Sequence, residues 1–113
     1  MDGRFKVEAR KENWKYFREK YPKAWGAYES FGQSLGSEAG PLDSKTCVLV
    51  KLGIAAGSQY DYALRTQIEK AIAASCTLDE IEHAILQAAT TAGYARMMTA
   101  LMIFREEKTK YQS

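Results

Sequence analysis

The stretch from Ser58 to Arg96 constrains the chain more than any other, because it carries two helical periodicities back to back with a legible boundary between them. In the first, Tyr60, Leu64, Gln67, Ile68, Ala71, Ile72 and Ser75 recur at spacings of three and four, which makes one largely apolar stripe with a single amide in it. Asp61, Arg65 and Glu69 fall four apart on another face, where they predict i,i+4 ion pairs. The boundary lies at Ser75-Cys76-Thr77. There the Thr77 hydroxyl is placed to accept from the Glu80 amide while the Glu80 carboxylate reaches back to the Thr77 amide, a capping box. A helical hairpin over about 58–75 and 77–92 follows, and a further helix opens near Gly93.

Before this hairpin, a charged segment over about 2–21 sets Val7, Trp14, Phe17 and Tyr21 at helical spacing, an amphipathic helix that would cover the domain or a partner. Tyr21-Pro22 ends it, since a residue before proline avoids the helical region, and Pro22 suits the first turn of a second helix with Trp25, Tyr28, Phe31 or Gly32, and Leu35 on one face. Residues 36–41 read as a loop, too short to link domains. Asp43 is placed to cap a helix over 44–56. Cys47-Val48-Leu49-Val50 would pass for a strand by propensity, but length, the cap and Gly57 at the far end favour a helix, and its apolar character nearly all round predicts a central position. Ser58 is then expected to cap the next helix. After Gly93, the residues Met97, Leu101, Phe104 and Tyr111 mark one stripe, while Met98, Met102 and Ile103 fill other faces. The first half of that helix is expected to be enclosed, with the charged tail 105–110 emerging. The reading is all-α, six helices and no strand.

With 113 residues the chain is expected to form one domain, residues 1–113, with the first helix as an outer arm. A net charge of +2 without a basic stripe argues against nucleic acid. The start has no apolar signal region, and the longest apolar run, 47–56, is interrupted by Lys51, which argues against a membrane span and for a cytoplasmic protein. Cys47 and Cys76 make no metal-like spacing, and one histidine, His83, cannot build a zinc set within a subunit. Buried or half-buried free thiols, a solvated or interface His83 and no cofactor are the expectations.

Gln67-x3-Ala71-x5-Thr77-x2-Glu80-Ile81, followed by Ile85-Leu86-Gln87-Ala88-Ala89 and Ala92-Gly93, with Pro41-Leu-Asp-Ser-Lys-Thr46 upstream, resembles the carboxymuconolactone decarboxylase family and its AhpD-like alkylhydroperoxidase relatives over roughly residues 20–108. The resemblance implies an orthogonal AhpD-like helical bundle and a homo-oligomer, a hexamer built as three dimers. Apolar faces in excess of one small core point to self-association as well. In the peroxidase branch the motif is a Glu followed by Cys-x2-Cys-x3-His, and those positions fall here at Val48, Tyr60, Ala63 and Gln67. Neither phenol nor methyl replaces a thiolate pair, so thiol peroxidase chemistry is not expected. In the decarboxylase branch the histidine position is again Gln67, which cannot shuttle protons as imidazole does but can bond a ligand carbonyl or carboxylate, or satisfy a neighbouring backbone group. The sequence also departs from the family at Ala95, where proline is common.

The candidate pocket is therefore Tyr60, Ala63, Arg65, Gln67 and Tyr94, with Arg65 as a carboxylate clamp if its face is an interface and the tyrosines as lining with polar tips. Two readings of function remain: binding or decarboxylation of a small acidic ring compound, with Tyr60 or solvent handling the proton, and a non-catalytic ligand-binding or assembly protein on the same scaffold.

Overall fold

The computed structural model describes residues 7–112, so the part of the predicted first helix before Val7 lies outside the described residues. Six α-helices run in order: α1 (Val7–Lys20), α2 (Pro22–Ser37), α3 (Ser44–Ser58), α4 (Asp61–Ala73), α5 (Leu78–Leu86) and α6 (Tyr94–Lys108). Short 3-10 turns follow α5 at Gln87–Thr90 and α6 at Thr109–Tyr111. No strand occurs among the described residues. The all-α reading holds.

The chain divides into two compact units, one up to Asp43 and one from Ser44 onward. In the first, α1 and α2 form a hairpin about Tyr21, with Pro22 in the first turn of α2. Proline costs nothing there, because the first helical amides have no intrahelical acceptor. Trp14 and Trp25 meet edge to face at 5.2 Å between ring centroids and Phe17 stacks at 5.8 Å on Tyr21, while Tyr28, Phe31 and Leu35 stay exposed.

The second unit has its core where the stripes of α3, α4, α5 and α6 converge. Leu52, Leu64, Ile68, Ile81, Ile85 and Phe104 are each no more than 2% exposed, and burial of side chains of this size stabilises by about 1.5–3 kcal/mol apiece. The capping box at the start of α5 forms as the spacing required: the Glu80 amide donates to Thr77 Oγ1 at 3.0 Å and the Thr77 amide to Glu80 Oε1 at 2.8 Å. α4 closes with a Schellman motif, in which the Cys76 amide donates to Ala71 O and the Ser75 amide to Ile72 O. Ser75 takes the left-handed conformation, φ 70°, that this motif needs. Cys76 is thereby turned into the core, 5% exposed, and Cys47 is half-buried; both are free thiols.

Four expectations change. Ser58 does not cap α4: its hydroxyl donates to Ile54 O at 2.8 Å, so it stays as the last residue of α3, and the chain reverses at Gln59, φ 59°, with Tyr60 before the first residue of α4. Gly57 does not end α3 but lets it approach its neighbour, since a Cβ there would sit 3.0 Å from the Ala92 methyl. The helix from Thr77 does not run to 92. It tightens after Leu86, and Ala92 and Gly93 both donate to Ala88 O before Gly93, φ 121°, redirects the chain. Finally, α3 is not enclosed all round, because Val50 and Ile54 are 49% and 64% exposed.

The end of α6 also departs from its expected course. Of the stripe, Met97 and Phe104 are buried, but Leu101 is half-buried and Tyr111 exposed, and Ala100 is buried beside them; Met98 and Met102 are exposed, so the first half is not enclosed within the chain. The supposed emerging tail is anchored instead: Glu107 is 1% exposed, drawn in by a guanidinium from α4.

Candidate functional site

The five predicted pocket residues separate into four environments. Tyr60 and Tyr94 stand at the starts of α4 and α6, 69% and 68% exposed. Ala63 packs against the core cluster from α4, and Val48, which the resemblance sets at the Glu of the peroxidase branch, packs against the same cluster from α3. Arg65 and Gln67 are two residues apart on α4, which turns their side chains to different faces.

Arg65 is held by its own chain. Nε donates to Asp61 one turn back, Nη1 to Glu107 Oε2 at 2.6 Å and Nη2 to Glu106 Oε1 at 2.8 Å. The pair with Asp61 was legible in the spacing. The two further carboxylates come from α6, where the spacing had offered Glu69. Burial opposes the charge on Arg65, but hydrogen bonds to Asp61, Glu106 and Glu107 outweigh it and raise the guanidinium pKa above its ordinary value. Lys110 completes the cluster, its ammonium 3.1 Å from both oxygens of Glu107. A ligand carboxylate at Arg65 would therefore have to displace a carboxylate already bound.

Gln67 presents the opposite situation. Its Oε1 is buried and accepts no hydrogen bond. Leu64, Ile68 and Ala71 on the same helix are buried around this register, so the acceptor has apolar neighbours along α4. An unpaired buried acceptor costs about 1–3 kcal/mol, and such groups in folded proteins commonly answer to a ligand, a water or a function. The backbone pairing open to Gln67 in the sequence is not made by this oxygen.

His83 is exposed, and its carbonyl accepts from Gln87 Nε2 at 3.3 Å. Cys47 stands near the start of α3 and Cys76 just past the end of α4, and Lys45 of α3 pairs with Glu80 of α5 at 3.0 Å. No group of three or more His, Cys, Asp or Glu side chains among the described residues could hold a metal ion. No helix among them is long and apolar enough to cross a membrane.

One concavity was not foreseen. An open groove of about 590 Å³ runs between α3 and the segment from α5 through the 3-10 turn, with Thr46, Val50, Gly53, Ile54 and Gly57 on one side and Ala84, Gln87, Ala88, Thr91 and Ala92 on the other. None of the five predicted residues lines it. The signal that could have found it is the small residues Gly53 and Gly57 against Ala84 and Ala92, which permit close approach at the floor and leave Val50 and Ile54 as a wall. A second missed feature is Glu107, which falls three residues after Phe104 on the buried stripe of α6.

With no strand among the described residues and the Thr77–Glu80 box and Gly93 turn at the positions the motif required, the resemblance can be set against known proteins. No curated protein matches the chain. The model of the carboxymuconolactone decarboxylase family matches residues 22–106, from the first residue of α2 into the last turn of α6. On that match, spanning three quarters of its length, the chain belongs to the carboxymuconolactone decarboxylase family.

Proposed function

We propose that this protein binds or decarboxylates a small acidic ring compound at Gln67, with Tyr60 or solvent supplying the proton that replaces the lost carboxylate. The observation that carries the reading is the buried, unpaired Gln67 Oε1, on a residue that the resemblance aligns with the family's histidine. An amide there offers an acceptor to a ligand hydroxyl and a donor, through Nε2, to a ligand carboxylate or carbonyl. It moves no proton at neutral pH. Arg65 gives little support as a ligand clamp, since three carboxylates already hold it; its role in this reading is to fix α4, and with it Gln67, against α6.

The non-catalytic alternative is favoured by a separate observation, the exposed apolar side chains Tyr28, Phe31, Tyr94 and Met102. Surfaces of this kind support self-assembly, for which the hexamer of three dimers is the proposed form. A panel of aromatic and muconate-derived acids, read by thermal stability, tests the binding claim: a ligand at 100 times its Kd adds about 2.7 kcal/mol. Hits with loss of carbon dioxide support the lyase reading, hits without turnover support the binding one, and a panel without any hit rejects both. Light scattering that gives a 12.7 kDa particle rejects assembly.

A further inference from the structure

The groove between α3 and α5 has a chemistry unlike that of Gln67. All of its lining side chains are uncharged, and two of its polar groups bond back within their own turn: Gln87 Nε2 donates to His83 O, and Thr91 Oγ1 to Gln87 O. From Thr46 to Gly57 it follows α3 for about 16 Å at 1.5 Å per residue. Such a trough suits an extended apolar chain better than a compact, multiply charged ring, whose carboxylates would be desolvated there without partners.

One charge stands at its end. Arg96, exposed in the first turn of α6, donates through Nη1 to the carbonyl of Gly57, a residue of the groove wall, at 2.9 Å. No carboxylate pairs with Arg96 among the described residues. The bond to Gly57 holds the guanidinium at the mouth and uses one of its five N–H groups, leaving the others to a carboxylate in the two-pronged geometry arginine favours.

We propose that this groove binds a medium-chain monocarboxylate, with the hydrocarbon tail lying between Val50 and Ile54 of α3 and Ala84 and Ala88 opposite, and the carboxylate on Arg96. The tail supplies the affinity, each buried methylene strengthening binding by about four-fold. Arg96 supplies the orientation and the choice of an acid over a neutral amphiphile, because an exposed ion pair adds only modestly to affinity.

Calorimetry with octanoate and 1-octanol tests this on the full chain. Octanoate is expected to bind saturably with a Kd below about 1 mM, the range open to a ligand of this size. Arg96→Gln should weaken octanoate by three- to ten-fold and leave octanol unchanged. Ile54→Asp, at a site exposed enough to spare the fold, should weaken both by more than ten-fold. The proposal is overturned if wild-type protein takes up no octanoate saturably, or if Arg96→Gln affects acid and alcohol alike. It is overturned equally if Ile54→Asp leaves both affinities unchanged, or if that variant lowers the particle mass in light scattering, which would assign the groove to a second copy of the chain.

Discussion

Arg65 on α4 donates to Glu107 on α6 at 2.6 Å, joining residues 42 positions apart, and Glu107 is 1% exposed. Breaking a buried pair from one side leaves an uncompensated charge and costs about 3–5 kcal/mol, whereas replacing both partners by apolar groups is often neutral. Arg65→Met is therefore expected to destabilise by about 3 kcal/mol, near the low end because Lys110 remains beside Glu107. The double variant Arg65→Met, Glu107→Leu should recover most of that loss. Urea denaturation of the four-member cycle checks both; additive losses would show that the pair is not a unit.

The N-terminus of α5 has a pH dependence of definite sign. The Thr77 backbone amide, and then the Lys45 ammonium, hold the Glu80 carboxyl below its ordinary value of 4.5. A carboxylate depressed on folding stabilises above its unfolded pKa, and that contribution is lost as pH falls through the lower folded value. Relative to Glu80→Gln, wild-type protein should keep a constant advantage at neutral and mildly acidic pH and lose it progressively below about 4.5. Urea midpoints of the two proteins across that range measure it; an advantage that grows on acidification would contradict the assignment.

Ser75 holds the left-handed position of the α4 Schellman motif, φ 70°, a conformation that costs a residue with a Cβ about 1–2 kcal/mol. Glycine relieves that strain and gives back part of the gain through its freer unfolded chain. Ser75→Gly should therefore stabilise by about 0.5–1 kcal/mol, read as a raised urea midpoint at unchanged slope.

Thiol chemistry is expected to be missing. By the resemblance, Tyr60 and Ala63 take the places of the peroxidase branch's reactive pair; Cys76 is buried in the core and Cys47 is half-buried. Peroxide consumption with a dithiol reductant should be the same for wild type and for the Cys47→Ser, Cys76→Ser double variant. A robust rate lost in the variant would reverse this.

What the sequence made legible was local. Thr77 and Glu80 announce their capping box, Pro22 its helix start, and the spacing of Leu64, Ile68 and Ala71 the buried face of α4, because each is settled within one or two turns of chain. What it hid depends on partners distant in sequence. Ser58 was equally suited to cap a new helix or to bond back to Ile54, and the carbonyl it found decided the matter. Glu107 reads as tail until Arg65 arrives beside it. At the site, Gln67 was singled out by motif position, but that its oxygen would be both buried and unpaired is a property of packing around it. The Arg96–Gly57 contact, between residues 39 apart, has no local signature at all.

The central claim is that Gln67 keeps an unsatisfied acceptor for a ligand, and the comparison of wild type with Gln67→Leu tests it most directly. Without ligand, the leucine variant should be more stable by about 1–3 kcal/mol, since it removes a buried group that has no partner. Against the acid that raises the wild-type melting temperature most, the variant should show little or no rise. A variant that is less stable when free would show the oxygen to be satisfied, and one that responds to the acid as fully as wild type would place the ligand elsewhere; either result contradicts the account.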